Sequence, residues 1–229
     1  NLYNEPMQHC EYLKREQLEH VNPHISTAFQ HAIHFPQLAN VRNPRLLKSL
    51  TAYLKQHPQV KIYENTWIDE FHIQYGKIQS IQAQNGKKFV ADQFVIATGA
   101  WSNHWSKQLH VQIPVEPVQG QMLLFKTPEN WLPTMCMNQV MYLISRQDGH
   151  IVCGSSMSDF GFDTTPRADI QHNIQTACFE MITALAQFQL VKQWAGLRPS
   201  SPTGVPYIGQ FAGFTNLWAN FGHYRNGLC

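Results

Sequence analysis

The stretch Phe94-Val-Ile-Ala-Thr-Gly-Ala-Trp-Ser102 decides how the chain is interpreted as a fold. Its first four residues are continuously apolar, which is typical of a strand that is buried on both faces, as in a sheet covered by helices. The apolar run ends abruptly at Thr98-Gly99. The stretch therefore predicts an α/β portion in the fold.

Helical and strand patterns lie upstream of this stretch. Tyr12-Leu-Lys-Arg-Glu-Gln-Leu-Glu19 has a short helical pattern that Asn22-Pro23 ends. After Asn43-Pro44, a cap residue and a helix-starting proline, leucines recur at helical spacing and predict a helix over 44–56 with a buried apolar face. The pattern then changes to a period of two. It predicts strands at 60–62, 67–74 and 77–83, with Asn85-Gly86 as a hairpin turn.

A second block, rich in short strands, lies downstream. It predicts antiparallel strands at 121–126, 141–146 and 151–157, the last two joined by a turn. Residues 169–191 carry an apolar stripe that is typical of one long helix. Short strands are expected at 207–209 and 217–219. The two blocks together predict an α/β part and an α+β part, the latter an antiparallel sheet flanked by helices.

Composition excludes several classes of protein. The 229 residues are 43% hydrophobic and carry 17 Lys and Arg against 15 Asp and Glu, as in a folded chain of balanced charge. Because there is no basic run, no nucleic-acid partner is expected. Because the longest apolar run is far shorter than the roughly 20 residues of a membrane span, no integral membrane segment is expected. Five scattered cysteines predict free thiols in a reducing compartment and a cytoplasmic location; they are Cys10, Cys136, Cys153, Cys178 and Cys229.

Three common kinds of site are absent from the sequence pattern. The histidine pairs at 20 and 24 and at 31 and 34 lack the helix or the partner ligands that a metal centre requires, so no metal is expected. Cys153-Gly-Ser-Ser-Met157 differs from the Gly-x-Ser-x-Gly turn of serine hydrolases. Neither Gly-x-Gly-x-x-Gly nor a P-loop motif occurs, so no self-contained nucleotide site is visible.

Two arginines and a tyrosine stand out among apolar or glycine-rich neighbours. Arg198 precedes Pro199, Arg225 lies in a glycine-bounded turn, and Tyr142 opens a predicted strand. A guanidinium among apolar side chains is costly unless it pairs with an anion, and its planar fork matches a carboxylate. That anion is either a small carboxylate ligand or an internal Asp or Glu, and the residues alone leave both open.

Several segments resemble, in their order along the chain, the D-amino-acid oxidase family of FAD-dependent oxidoreductases. They are Val41-Arg-Asn-Pro-Arg-Leu-Leu47, Val95-Ile-Ala-Thr-Gly-Ala-Trp-Ser102, Pro117-Val-Gln-Gly-Gln121, Tyr142-Leu-Ile-Ser-Arg-Gln-Asp-Gly-His-Ile-Val-Cys-Gly154, Ala195-Gly-Leu-Arg-Pro199 and Gly222-His-Tyr-Arg-Asn-Gly227. Each segment is weak alone, but the series covers the chain from about residue 41 to its end. The last segment is most similar to the glycine-oxidising branch, which serves bacterial thiamine biosynthesis.

The resemblance implies an FAD cofactor and a set of site residues. Arg198 matches the arginine that pairs with the substrate carboxylate, and Tyr142 matches the tyrosine that hydrogen-bonds to it. Arg225 matches a second active-site arginine, and Met157 a methionine that lines the pocket. The positions implied beside FAD are Ile68, Thr98, Gly99, Trp101, Gly222, His223 and Gly227.

The resemblance also implies a reaction and a division into domains. FAD accepts a hydride from the Cα of a small amino acid such as glycine or sarcosine; the imine hydrolyses to a 2-oxo acid and ammonia, and O2 reoxidises the flavin to give peroxide. Residues 1–41 and 110–193 are expected to form a substrate-binding domain. Residues 42–109 and 194–229 are expected to form part of a Rossmann-like FAD domain. The expected partners are the amino acid and O2, with homo-oligomerisation left open.

The chain departs from the family pattern at both ends. It lacks the glycine-rich dinucleotide fingerprint and the helix that follows Gly-His-Tyr-Arg-Asn-Gly in relatives, so an incomplete FAD domain in an internal fragment is expected. The alternatives are a D-amino-acid dehydrogenase that reduces a quinone, a sarcosine-oxidase-like enzyme, and a non-catalytic fragment that binds small carboxylates. A tRNA-modifying relative is disfavoured because the chain has no basic stripe.

Overall fold

The computed structural model describes residues 10–227 and divides into two units. The first unit contains residues 10–43, 120–157 and 164–196, and the second contains residues 44–119, 158–163 and 197–227. The helices are α1 (Arg15–Val21), α2 (Asn43–Gln56), α3 (Ser106–Leu109) and α4 (Ala168–Met181), with 3-10 segments at Gly99–Trp105 and Thr183–Gln187. The strands are β1 (Glu11–Lys14), β2 (His31–His34), β3 (Ile68–Gln74), β4 (Lys77–Ala83), β5 (Lys88–Phe89), β6 (Phe94–Ile96), β7 (Glu116–Lys126), β8 (Cys136–Met137), β9 (Tyr142–Arg146), β10 (His150–Gly154), β11 (Leu190–Ser200), β12 (Tyr207–Gln210) and β13 (Leu217–Phe221).

The first unit is built on a sheet with strand order β11-β7-β10-β9-β8, in which β7, β10, β9 and β8 are antiparallel. Successive side chains of a strand point to opposite faces, so one face can be buried while the other carries different chemistry. Leu123, Cys153 and Leu143 form a fully buried row across β7, β10 and β9. They share a hydrophobic core with Ile174 and Cys178 of α4.

The second unit contains two three-stranded sheets, ordered β12-β13-β6 and β3-β4-β5. Strand β13 pairs antiparallel with β12 and parallel with β6. The residues of these strands that point to one side, including Phe94, Ile96, Leu217 and Phe221, form a buried core with Ile78 of β4. The predicted combination of an α/β part and an α+β part is therefore confirmed.

One buried amide side chain ties three strands of the second unit together. Asn216 is 2% exposed, its Oδ1 accepts a hydrogen bond from the Ile78 N–H and its Nδ2 donates to the Ile78 carbonyl, both at 2.9 Å. Its own backbone carbonyl accepts from the Phe94 N–H at 2.8 Å. Asn216 thus connects the start of β13 to β4 and to β6, and satisfies backbone groups that the sheets leave unpaired.

Several predicted elements are confirmed. Helix α2 lies at 43–56, strands β3 and β4 lie at 68–74 and 77–83, and β12 and β13 contain the two short strands expected near the end. Gly86 has a positive φ of 80° in the turn after β4, as the Asn-Gly pair predicts. The three antiparallel strands predicted downstream are also present as β7, β9 and β10, although β7 begins earlier and β10 ends earlier than predicted.

The prediction of one helix over 169–191 is wrong. Helix α4 ends at Met181, where Ile182 leaves the helical region with φ −135° and ψ 87°, and β11 already begins at Leu190. Met181, Ile182 and Leu185 are all 2% exposed or less, so the apolar stripe continues past the end of the helix. The apolar stripe thus correctly predicts buried side chains. The backbone that carries them changes from an α-helix to a 3-10 segment after Met181.

Two other secondary-structure expectations are wrong. Residues 12–14 belong to β1 because they pair with β2, so only residues from Arg15 onward form α1. Residues 60–62 form no strand, whereas residues 31–34 form β2 by pairing with β1. In both cases a long-range pairing, or the lack of one, decided the outcome.

Two expectations about burial are also wrong within residues 10–227. Val95, in the middle of β6, is 61% exposed, so this strand is buried on one face only. Helix α2 contains no buried residue, and Leu47, Leu50 and Tyr53 on its apolar stripe are all exposed. An apolar side chain can lie on the surface as well as in a core. Among the described residues, Val95 and the apolar stripe of α2 are exposed to solvent.

Charged and sulfur groups of the first unit have perturbed pKa values. A hydrogen bond from the Arg42 guanidinium lowers the pKa of Asp148 to about 2. Contact with Cys178 and burial hold the pKa of the Cys153 thiol well above its usual range, as expected for an unreactive core thiol.

Cys10, Cys136, Cys153 and Cys178 are free thiols, and Cys229 lies outside the described residues. Among residues 10–227, no helix is long and apolar enough to cross a bilayer.

We expect Asn216→Ala to lower the free energy of unfolding by about 2–4 kcal/mol, because two buried backbone groups of Ile78 lose their partners at about 1–3 kcal/mol each. Urea denaturation measures the change. Asn220→Ala is the matched control, since Asn220 is exposed in β13, the strand that follows Asn216, and it should cost less than about 0.5 kcal/mol. Equal small losses in the two variants would show that the Asn216 amide does not hold the sheets together.

Candidate active site

Two glycine-containing turns meet at one edge of the sheet in the second unit. Strands β6 and β13 run parallel, and their last paired residues are Ile96 and Ala219. Gly99 follows Ile96 by three residues, and Gly222 follows Ala219 by three residues. Because the register is parallel, both turns lie at the carboxyl ends of neighbouring strands, which is where open α/β sheets bind ligands.

Both turns require glycine. Gly99 has a φ of 56° and Gly222 a φ of 77°, in the left-handed region that other residues seldom adopt. A Cβ built on Gly222 would lie 3.1 Å from Tyr207 Cδ2, tighter than ordinary contact. A Cβ built on Gly99 would meet no described atom within 4 Å, so this glycine keeps space open at the strand end. At Gly99 the sheet edge therefore leaves the backbone open to the close approach of a ligand.

Hydroxyl groups fix the first of these turns. Ser102 is fully buried, and its Oγ donates to the Gly99 carbonyl at 2.8 Å. Since a hydroxyl has one proton, the Thr98 hydroxyl is then the donor in its 3.1 Å bond to Ser102 Oγ. The Thr-Gly-Ala-Trp-Ser run folds in this way into a 3-10 segment directly after β6.

The other positions implied beside FAD are spread over the second unit. Trp101 lies in the 3-10 segment after β6, is 47% exposed and stacks on Phe162 at a ring separation of 5.8 Å, so it is not a core residue. His223 directly follows Gly222, and its carbonyl accepts from the Asn226 N–H at 2.9 Å. Gly227 ends the same turn. Ile68 begins β3 opposite Ala83, in the other sheet.

The two arginines of interest lie in neighbouring segments of the second unit. Arg198 is half-buried in β11. The Tyr224 N–H donates to the Pro199 carbonyl at 3.0 Å, so the turn that carries Arg225 is bonded to β11 one residue beyond Arg198. Arg225 itself is exposed. The structure thus brings the two segments together although they are distant in sequence.

Tyr142 and Met157 belong to the first unit. Tyr142 is the first residue of β9 and pairs with Gly154, the last residue of β10. Its side chain lies on the face of the sheet opposite the α4 core and is half-buried. Met157 follows β10 by three residues and is 60% exposed. The two residues therefore flank the same end of β10.

A fully buried glutamine positions the segment that carries Met157, and sequence reasoning did not identify it. The Gln121 side chain accepts from the Arg167 N–H at 2.8 Å and donates to the Arg167 carbonyl at 2.9 Å. Its backbone N–H donates to Ser156 Oγ at 2.9 Å. The available signal was a glutamine on the inward side of β7, where Leu123 and Phe125 follow it in the core. A buried polar side chain in such a pattern needs specific partners.

Metal chemistry has no candidate in the described part of the chain. Within residues 10–227, no three His, Cys, Asp or Glu side chains gather as metal ligands would.

Known proteins resemble this chain in sequence and in fold. A family model described as FAD dependent oxidoreductase (DAO) matches residues 2–229. Glycine oxidase of Pseudomonas putida is 44% identical over 206 residues, which are 90% of this chain and 56% of that protein. Glycine oxidase of Pseudomonas aeruginosa is 41% identical over the same shares. The crystal structure of glycine oxidase from Geobacillus kaustophilus matches with a TM-score of 0.88 at 25% identity, over 98% of this chain and 59% of that one.

The chain thus spans little more than half the length of the relatives it matches. The sequence identities to these relatives confirm the family resemblance that the sequence motifs indicate, including the likeness to glycine oxidases. The solved relative confirms the fold class. This chain belongs to the DAO family of FAD-dependent oxidoreductases.

Proposed function

We propose that this chain serves an FAD-dependent oxidase that acts on a small amino acid, with glycine as the preferred candidate and O2 as the electron acceptor. The observation that carries the proposal is the pair of glycine turns at the parallel strand ends of β6 and β13. The identity of 44% to a glycine oxidase supports the substrate class. Hydrogen peroxide, ammonia and a 2-oxo acid are then the products.

The residues at this sheet edge fit a flavin dinucleotide. Gly99 leaves open space that a Cβ would occupy, and Gly222 has the positive φ of 77° that its turn requires. We assign Thr98, Gly99 and Trp101 after β6, with Gly222 and His223 after β13, to holding FAD. Gly227 and Ile68 complete the set by family resemblance. When bound, FAD supplies the electron acceptor for oxidation of the amino acid.

The substrate roles are taken from the family resemblance, and the chemistry of the side chains suits them. We assign Arg198 to the substrate carboxylate, because its planar guanidinium can donate two parallel hydrogen bonds to one. We assign the Tyr142 hydroxyl as a further donor to that carboxylate, Met157 to the pocket wall, and Arg225 to a second cationic position. Their task is orientation: fixing the carboxylate fixes the direction of the amino acid's Cα–H bond.

We expect Gly99→Ala and Gly161→Ala to cost the same stability and to differ only in FAD affinity. Both glycines have nearly the same φ, 56° and 57°, and a Cβ on either meets no described atom within 4 Å. Each replacement should therefore cost about 1–2 kcal/mol of left-handed backbone strain. Only Gly99→Ala fills the space at the end of β6. It should weaken FAD binding about tenfold, equivalent to about 1.4 kcal/mol.

Titration of the flavin-free protein with FAD, followed by flavin fluorescence, measures both dissociation constants, and urea denaturation checks the matched stability loss. If FAD affinity falls equally in the two variants, the effect is general and Gly99 does not face the cofactor. If neither variant loses affinity, the edge formed by β6 and β13 does not hold FAD.

In the FAD-loaded protein we expect glycine to be consumed with release of hydrogen peroxide, and Arg198→Ala to raise KM for glycine sharply. Truncating one partner of a buried charge pair costs about 2–5 kcal/mol. Arg198→Lys should recover only part of the loss, because an ammonium lacks the planar fork. A coupled peroxidase assay over a range of glycine concentrations measures these effects.

Lys192→Ala is the control for charge removal, since Lys192 is an exposed cation on the same strand. It should leave KM unchanged. Unchanged glycine turnover in Arg198→Ala would remove Arg198 from the site. Glycine oxidation that reduces a quinone dye but yields no peroxide would show a dehydrogenase in place of an oxidase.

A further inference from the structure

Three residues of the first unit stand in one row across adjacent strands. Gly154 of β10 pairs with Met122 of β7 on one side and with Tyr142 of β9 on the other. Cross-strand partners point to the same face of a sheet. The row therefore lies on the face opposite the α4 core, and its middle residue is the only one without a side chain.

The two outer side chains meet over this glycine. The Tyr142 hydroxyl donates a hydrogen bond to Met122 Sδ at 3.3 Å. Strands lie about 4.8 Å apart, so the two backbones are about 10 Å apart and only a vacant middle position lets long side chains touch. A Cβ on Gly154 would overlap the thioether of Met122. Gly154 thus permits the contact, and Met122 fixes the direction of the hydroxyl.

Met122 Sδ is suited to be a temporary hydrogen-bond acceptor for the Tyr142 hydroxyl. A thioether sulfur is a weak hydrogen-bond acceptor. A carboxylate is an ionised acceptor, and its hydrogen bonds are roughly twice as strong as neutral ones. A phenol that donates to Met122 is therefore held in one orientation and is still released readily to an incoming carboxylate.

We infer that Met122 is a positioning residue for the proposed oxidation, which holds the Tyr142 hydroxyl over the gap at Gly154 in the free protein and gives it up to the substrate carboxylate. The inference rests on the proposed function, in which Tyr142 binds that carboxylate. Met122 touches neither substrate nor cofactor in this role. It acts by competing for the one hydroxyl proton of Tyr142, because that proton must leave Met122 Sδ before it can bond to the carboxylate.

Met122→Leu is the informative change because it removes the sulfur and keeps nearly the same volume, so the sheet should still fold. The probe is glycolate, a carboxylate of glycine's size that has no amine to oxidise. Calorimetry on the FAD-loaded protein measures its dissociation constant. We expect Met122→Leu to tighten glycolate binding about three- to tenfold, because the hydrogen bond to sulfur no longer has to be broken when the ligand binds. In glycine turnover, KM should fall by the same factor with kcat nearly unchanged.

A double-mutant cycle with Tyr142→Phe separates positioning from packing. Met122→Leu should have no effect on glycolate binding when residue 142 lacks its hydroxyl. An equal change in both backgrounds, no change in either, or weaker glycolate binding in Met122→Leu would overturn the inference. If Tyr142→Phe alone leaves glycolate binding unchanged, the carboxylate role of Tyr142 fails, and that outcome is distinct from a failure of Met122 alone.

A spectroscopic signal tests the same point without activity. With methyl-labelled methionine, the Met122 methyl resonance, assigned from its loss in Met122→Leu, should shift when glycolate saturates the protein, because the phenol leaves the sulfur. In Tyr142→Phe the resonance should not respond. A Met122 resonance that ignores saturating glycolate while Tyr142 is present would contradict the proposed release of the hydroxyl.

Discussion

The parallel pairing of β6 with β13 is the constraint on which the second unit depends. The two strands are far apart in sequence, but the entropic cost of closing a loop grows only slowly with its length, so a distant pairing is affordable once the core is buried. Asn216 reinforces it by bonding to Ile78 and Phe94 at the point where β13 begins. One register then brings the turns at Gly99 and Gly222 to a common edge.

The first unit uses its sheet differently. One face of β7, β10 and β9 is filled by Leu123, Cys153 and Leu143 against α4, and this face stabilises the fold. The opposite face is free to carry chemistry, because a pleated strand alternates its side chains. Tyr142 and Met122 occupy that second face. Rigid strands are well suited to such a role, since they hold a side chain more firmly than a loop does.

Local patterns predicted the parts of the fold that local energies decide. Asn43-Pro44 and the leucines after it predicted α2 to within one residue, and Asn85-Gly86 predicted its turn. The same kind of pattern failed where side chains are buried without the backbone conformation that the pattern predicts. The apolar residues through Leu185 suggested a longer helix, but a 3-10 segment buries them equally well. The exposure of Val95 could not be read from its apolar neighbours.

The candidate site was predictable only as a set of segments. Tyr142 and Arg198 stand out in the sequence as polar residues beside apolar neighbours, and the family resemblance adds the two glycine turns. Asn216 and Met122 gave no such signal. The role of Asn216 depends on Ile78, and that of Met122 depends on a cross-strand row through Gly154. Both are consequences of register between distant strands, which a single sequence does not specify.

Hydrogen exchange on the protein with and without FAD tests most directly whether the paired strand ends hold the cofactor. Peptides that cover 97–102 and 221–227 should both gain protection when FAD binds, because the two turns lie at one edge. Peptides from α4 should change little. FAD binding that protects neither turn would contradict the account, and protection of only one would show that the parallel register does not create a shared site.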